Sequence, residues 1–182
     1  MLQKFYLKRF FVVFLLIPAL NLYSCEIGDS DDPAAINNLS FNCSTGTFSW
    51  TATGDDGNDG LAAIYDLRFF EAAEMAALLG VPVESLESVP DSAIVEAFRE
   101  NFPDARQIMG EPPPKAAGAP EELDLNPMCP ELIVVEPNGG TSTFDCALIF
   151  PDGEEIFFAI TARDEVGNQA SIESVLRIDC QM

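Results

Sequence analysis

The sequence TFSWTATGDDGNDGLAAIYDLRFF, residues 47–70, carries the clearest fold signal in the chain. Two segments of it, 47–53 and 63–70, alternate large apolar residues with small or polar ones, as half-buried β-strands do. Glycine and acidic residues fill the segment between them, 54–60. The stretch therefore predicts two strands joined by a loop.

Strand patterns recur along the rest of the chain, at 36–41, 121–126, 132–136, 144–150, 155–162 and 170–178. Two helices are predicted among them. The first covers 71–79 and stops at Gly80, and the second covers 93–102 with Asp91 and Ser92 as its N-cap. Because strand patterns outnumber helical ones, we expect an all-β fold with a helical insertion.

The N-terminus reads as an export signal. Basic residues at positions 4, 8 and 9 precede an apolar run, 10–17, which is too short for an ordinary membrane-spanning helix. The sequence LYSC, 22–25, resembles a bacterial lipobox, in which the cysteine is lipidated. We therefore expect a lipoprotein signal peptide at 1–24, a lipid on Cys25 and an acidic tether at 25–35. The protein would face the periplasm or the cell exterior. Ordinary secretion with cleavage near Ser24 is the alternative.

The five cysteines support the same interpretation. An odd number is unusual in an oxidising compartment. A lipid on Cys25 leaves an even set suited to two disulfides: Cys43, Cys129, Cys146 and Cys180. Four cysteines permit three connectivities.

Charge and composition limit the classes of ligand and of catalysis that the chain can support. The chain has a net charge of −21, and only six of its nine basic residues follow Cys25, against 30 acidic ones. Such a domain repels nucleic acid and anionic lipid and favours cationic partners, although the charge also serves solubility alone. Histidine is absent, which excludes Ser-His-Asp and Cys-His catalysis and imidazole-bound metals. No phosphate-binding glycine motif is present. We therefore expect no enzyme activity.

Three segments together resemble one branch of the fibronectin type III family. They are SWTATGDDGNDGLAAIYDLR at 49–68, GEPPPKAAG at 110–118 and FAITARDEVGN at 158–168. They are similar to strand B, the BC loop and strand C, to the segment before strand E, and to strand F with the FG loop. The resemblance implies a fibronectin type III-like (Ig-like) two-sheet β-sandwich at 36–182. It places a helical insertion between strands C and C′, at about 71–102, and a β-hairpin insertion between E and F, at about 127–150.

The resemblance also implies a cysteine pairing. In such a sandwich the A–B turn, the E–F connection and the end of strand G lie at one pole. This favours Cys43–Cys180 and Cys129–Cys146, the latter closing a hairpin around the glycines at 139 and 140. The other two connectivities stay open.

At the opposite pole the resemblance brings the BC and FG loops together. The oxygen-bearing residues expected to converge there are Asp55, Asp56, Asn58, Asp59, Asp164 and Asn168. Carboxylate, amide and backbone oxygens are the ligands that Ca²⁺ prefers, so the loops predict a calcium site. The alternative is that these residues only satisfy turn geometry.

The aromatic residues leave two questions open. Trp50 either belongs to the core or stacks on a sugar, and its position on strand B favours the core. Each of the pairs 69–70 and 157–158 is Phe-Phe, which places one ring on each face of its strand. The outward rings either lie under the inserted helices or form an exposed binding patch.

Together these observations predict a non-catalytic, surface-anchored binding or adhesion module. Its partner would be a protein or a glycan at the cell surface, and the lipid on Cys25 would hold it to the membrane. A structural component of an envelope assembly is the alternative. A carboxylate-based hydrolase is a further one, since 30 acidic residues always provide some suitably spaced pair.

Overall fold

The computed structural model describes residues 31–129, 131–144 and 155–180. Its strands are β1 (Ser40–Asn42), β2 (Thr47–Thr51), β3 (Ile64–Glu71), β4 (Arg106–Ile108), β5 (Pro120–Asp124), β6 (Leu132–Val135), β7 (Thr141–Phe144), β8 (Ile156–Arg163) and β9 (Leu176–Ile178). The α-helices are α1 (Ala72–Leu79) and α2 (Asp91–Glu100), and short 3-10 helices cover Val83–Ser88, Phe102–Asp104 and Asn126–Met128. Strands predominate, so the predicted all-β class is confirmed.

The strands form two antiparallel sheets that pack as a sandwich. The smaller sheet has the order β1-β2-β5 and the larger has the order β7-β6-β4-β3-β8-β9. One core joins them, in which Phe48 of β2 packs against Phe158 of β8 with 4.9 Å between ring centroids. Trp50 is 3% exposed and meets Tyr65 edge to face, which confirms its assignment to the core.

Strands β3 and β8 form the centre of the larger sheet. They pair along their whole length, from Ile64 opposite Arg163 to Glu71 opposite Ile156. Because side chains alternate, one set points to the core between the sheets and the other to the outer face. The outward set includes both charged and aromatic side chains: Asp66, Arg68, Phe70, Phe157 and Arg163.

The two helices cover part of this outer face. Phe70 and Phe157 are buried there against Met75 of α1 and Ile94 and Phe98 of α2. The outward rings therefore lie under the inserted helices and do not form an exposed patch. The helices make a third layer with its own apolar core.

The helix boundaries agree with the prediction at one helix and differ at the other. Helix α1 ends at Gly80, whose φ of 67° gives the left-handed cap that glycine favours. Helix α2 begins at Asp91, and its N-cap is Pro90 rather than Asp91 or Ser92. The Pro90 carbonyl accepts hydrogen bonds from the N–H groups of Ala93 and Ile94 at 2.9 and 3.3 Å, which starts the helix two residues earlier than predicted.

Two edge strands are shorter than predicted because side chains replace part of their ladders. Strand β1 starts at Ser40 and not at residue 36, since the Asn38 amide bonds both the N–H and the hydroxyl of Thr51. Strand β9 covers 176–178 only. Upstream of it, the Thr161 hydroxyl donates to the carbonyl of Ala170 at 2.8 Å.

Strand β4 has no counterpart in the sequence analysis, because three residues are too few to show an alternation. It pairs with β3 on one side and with β6 on the other. Along the chain, the hairpin of β6 and β7 comes between β5 and β8, at the position of the predicted β-hairpin insertion. Gly139 takes a positive φ of 79° in its turn. The predicted strand 144–150 lies, after its first residue, outside the described residues.

The end of the predicted tether belongs to the folded domain. The Gly57 N–H donates to the Asp32 carbonyl, and the Ala34 N–H donates to the Gly57 carbonyl, both at 3.0 Å. Pro33, between them, is buried. The last residues of the predicted tether thus contact the folded domain, because the loop after β2 offers backbone groups that bond to them.

Candidate functional site

A disulfide joins Cys43, directly after β1, to Cys180, two residues beyond β9. It ties the turn of the smaller sheet to an edge of the larger one, and it confirms this predicted pair. A disulfide indicates an oxidising, exported environment. The predicted Cys129–Cys146 pair includes a residue outside the described ranges and stays a prediction, as does lipidation of Cys25.

Four of the predicted calcium ligands lie in the loop between β2 and β3: Asp55, Asp56, Asn58 and Asp59. Oδ1 of Asp55 accepts hydrogen bonds from the N–H groups of Asp56, at 3.2 Å, and Leu61, at 3.1 Å. Asp56 and Asp59 also pair through their backbones at 3.3 and 3.1 Å. These bonds close a tight loop by ordinary Asx-turn chemistry.

The other two predicted ligands lie directly after β8. Asp164 is 5% exposed, and its Oδ1 accepts three backbone N–H groups, from Val166 at 3.0 Å, Gly167 at 2.6 Å and Asn168 at 2.7 Å. Within the described ranges, no three acidic or cysteine side chains gather closely enough to hold a metal ion. The bonds of Asp164 fit the turn alternative, and calcium binding stays a prediction.

A different cluster stands out, on the outer face of the larger sheet. Three of the six basic residues that follow Cys25 line a single cleft of about 250 Å³, here called the arginine cleft: Arg68, Arg99 and Arg163. Phe102, Pro103 and residues 169–172 complete its wall. The cleft adjoins the helical layer, because Arg99 of α2 and Phe102, which follows α2, belong to its lining.

Asp66 holds two of these arginines in place. Its side chain is 3% exposed, and it accepts from Arg68 Nε at 2.8 Å and Arg68 Nη2 at 3.0 Å, a two-point contact. Nη2 of Arg163 donates to the same carboxylate at 3.0 Å. Nε of Arg163 donates to Gln169 Oε1 at 3.1 Å. Such charge-assisted bonds position both guanidinium groups rigidly.

The remaining contacts tie the cleft to the helical layer. Nη1 of Arg68 donates to the carbonyls of Phe102 at 3.2 Å and Pro103 at 3.0 Å, and its guanidinium lies 4.9 Å from the centre of the Phe102 ring. Arg99, on α2, donates from Nε and Nη2 to the carbonyl of Ile172 at 2.9 and 2.6 Å. The cleft is thus built by β3, β8, α2 and the segment after β8.

The described basic residues outside the cleft have carboxylate partners that balance their charge. Arg106 lies between two carboxylates, at 2.7 Å from Glu71 and 2.6 Å from Glu74. Burial lowers the pKa of Arg106, but the bonds to both glutamates outweigh it and raise the pKa above its usual range. Arg177 pairs with Glu155 at 2.8 Å, and Lys115 with Glu121 at 3.1 Å. Among the described residues the cleft alone brings three arginines together, and Asp66 balances only two of them, Arg68 and Arg163.

Comparison of the chain with protein families, with curated proteins and with solved structures gave no match. No known protein therefore adds to the fibronectin type III resemblance, which the three sequence motifs carry. The described residues contain no helix that is long and apolar enough to cross a membrane.

Sequence reasoning did not find the arginine cleft, although part of its signal is local. Asp66 and Arg68 are two residues apart on a strand, so they share a face, and the YDLR end of the first motif contains both. Arg99 and Arg163 are distant in sequence and carry no such signal. The remaining clue in the sequence is the small number of basic residues in so acidic a chain.

A buried acid lies near the cleft's carboxylate. Glu111, from the second motif, accepts the N–H of Leu67 at Oε1, 3.0 Å away. Burial raises the pKa of Glu111 to about 7, and the nearby charge of Asp66 adds to the rise, although backbone N–H donors such as Leu67 oppose it. The folded protein therefore holds this proton at a higher pH than the unfolded chain does.

We expect Glu111 to make folding pH-dependent. Between pH of about 4.5 and about 7 the folded state binds the extra proton, so the free energy of unfolding falls as pH rises, by at most about 1.4 kcal/mol per pH unit. Glu111→Gln should remove this dependence, and urea unfolding at pH 5, 6 and 8 measures it. Glu122→Gln, at an exposed position of β5, is the control. A stability difference between Glu111→Gln and wild type that is constant over this range would contradict the prediction.

Proposed function

We propose that this protein is an exported lipoprotein whose fibronectin type III-like sandwich binds a partner at the cell surface without catalysing a reaction. The basic and apolar leader and the LYSC sequence support export and an anchor at Cys25. The disulfide supports the same compartment. More than one acyl chain on a cysteine would hold the domain stably at a membrane.

The strand order supports the fibronectin type III-like part of the proposal. Strands β1, β2 and β5 take the places expected of A, B and E. Strands β4, β3, β8 and β9 take those of C′, C, F and G. The β6–β7 hairpin extends the second sheet, and the helices cover its outer face.

The arginine cleft is the observation that carries the binding function. The three guanidinium groups that line the cleft repel one another, and Asp66 pairs with two of them, Arg68 and Arg163. The chain has 30 acidic residues with which it could have neutralised the cleft. Arg106, Lys115 and Arg177 are neutralised in this way. An unbalanced, rigidly built cationic site therefore favours a ligand that supplies the missing negative charge.

Binding can be tested on glycan arrays and on arrays of cell-surface proteins, with the purified exported protein as probe. Wild type should be retained by a limited set of spots, and Arg99→Gln with Arg163→Gln should lose that retention. Arg177→Gln is the matched control, since it removes a positive charge outside the cleft. A wild-type protein retained by no spot on either array would refute the binding function and favour a structural role in the envelope.

The anchor makes a separate prediction. Cys25→Ser should move the protein from the membrane fraction to the medium or the aqueous fraction, because the acylated thiol is lost. Ser24→Ala keeps the cysteine and serves as control. Fractionation after labelling with radioactive palmitate measures both the location and the lipid. A Cys25→Ser variant that stays in the membrane fraction would show that another element anchors the chain.

A further inference from the structure

We propose that the arginine cleft binds the carboxylate of a ligand about as large as one sugar or amino-acid residue. The inference rests on the proposed binding function and names the chemistry of its ligand. Its support comes from the donors left over in the cleft, from the charge balance and from the shape of the wall.

The hydrogen-bond pattern leaves specific donors for a ligand. Arg163 uses Nε and Nη2 on Gln169 and Asp66, and Arg99 uses Nε and Nη2 on the Ile172 carbonyl. Among the described residues neither Nη1 has a partner, and both arginines line the same cleft. Guanidinium N–H groups match the two oxygens of a carboxylate, as Arg68 already shows with Asp66.

Charge limits the ligand to a small anion. Three arginines and Asp66 leave a local charge of about +2, whereas the chain as a whole carries −21. At physiological salt, charges more than about 8 Å away are largely screened, so a single anionic group is attracted by the cleft. A polyanion would extend beyond the cleft and meet the acidic surface, which repels it. A ligand carboxylate brings one negative charge, which offsets part of the local positive charge of the cleft.

The volume of the cleft and the residues of its wall indicate the size and the polarity of the rest of the ligand. Its volume of about 250 Å³ is below the roughly 300–1,000 Å³ of pockets that hold drug-sized molecules. Gln169 and Ser171 offer polar groups, and Phe102, Pro103 and Ile172 offer apolar surface. Such a mixed wall suits a sugar acid or the C-terminal residue of a peptide, both of which present a carboxylate on a compact body.

Arginine side-chain NMR of the purified exported protein tests the proposal. Five arginines follow Cys25, so five Nε–H signals are expected, and variants assign them. Titration with glucuronate should shift the signals of Arg99 and Arg163 saturably, while those of Arg106 and Arg177 stay in place as internal controls. Glucuronamide, the neutral analogue, should shift none. N-acetylglycine tests the peptide source, and methyl sulfate and inorganic phosphate test other anions.

Variants sharpen the test. Arg99→Gln should weaken the binding of the preferred carboxylate about tenfold, the loss expected for one charge-assisted hydrogen bond. Arg163→Gln should do the same, and Arg177→Gln should not. Arg99 is exposed on α2, so its replacement leaves the core intact, which near-ultraviolet circular dichroism would verify.

Several outcomes would overturn the proposal. Equal shifts with glucuronate and glucuronamide, or equal shifts at Arg177, would show that no carboxylate is recognised in the cleft. Tighter binding of sulfate or phosphate than of both carboxylates would assign the site to another anion. Array retention that survives Arg99→Gln with Arg163→Gln would leave the binding function standing and remove the cleft from it. Carboxylate binding by NMR without any array retention would support the cleft and refute the surface-binding function.

Discussion

Phe98→Ala is expected to lower the free energy of unfolding by about 3–5 kcal/mol. Phe98 is fully buried between the helices and the outer face of the larger sheet. Its ring centroid lies 5.0 Å from that of Phe70 and 6.1 Å from that of Phe102, so truncation opens a cavity beneath the helical layer. Urea unfolding followed by the fluorescence of Trp50, the single tryptophan, measures the change.

Leu78→Ala is the matched control, because Leu78 lies on α1 and is 39% exposed. It should change the free energy of unfolding by no more than about 0.5 kcal/mol. Equal losses for Phe98→Ala and Leu78→Ala would mean that the helical layer contributes little to the core.

The second large effect is expected from the disulfide. Replacing Cys43 and Cys180 together by serine should lower the free energy of unfolding by roughly 3–5 kcal/mol. The two cysteines are 137 residues apart, so the bond closes almost the whole domain into one loop and restricts the unfolded chain. The same urea unfolding experiment measures the loss. This magnitude follows from the chain-entropy account of disulfides.

Ser44→Ala changes an exposed neighbour of Cys43 and should leave the unfolding midpoint where it is. Adding a reductant should lower the midpoint of wild type more than that of the double serine variant. If wild type and the double variant unfolded at the same urea concentration, the bond would not contribute to stability.

Much of the fold follows from local patterns. The alternation at 47–53 and 63–70 predicted β2 and β3, and Gly80 marked the end of α1. The fibronectin type III resemblance led to the Cys43–Cys180 pair. Strand β4 was not predicted, because three residues are too few to show an alternation. The predicted start of β1 was too early, because the side-chain amide of Asn38, rather than the backbone, makes the hydrogen bonds to Thr51.

The covering of the outer face of the larger sheet is a feature that local sequence patterns could not predict. Alternation assigned one ring of each Phe-Phe pair to that face, but the sequence left open whether the rings were covered or exposed. The answer depends on where α1 and α2 pack, which is a non-local contact. The calcium prediction raises a question of the same kind, because whether the carboxylates of two loops meet depends on how the loops pack; within the described residues no group of three lies close enough to hold a metal ion.

The sequence by itself predicted the all-β class, the place of the helical insertion and, through the fibronectin type III resemblance, a two-sheet sandwich with one disulfide that the structure contains. These depend on periodicity, on turn residues and on motifs, all of which act over a few residues. The assembly of the arginine cleft was decided by the tertiary structure. Arg68, Arg99 and Arg163 come from β3, α2 and β8 and meet only because strand register and helix packing bring these elements together. A side-chain cluster of this kind has no sequence period, since its members are neighbours only in the folded chain.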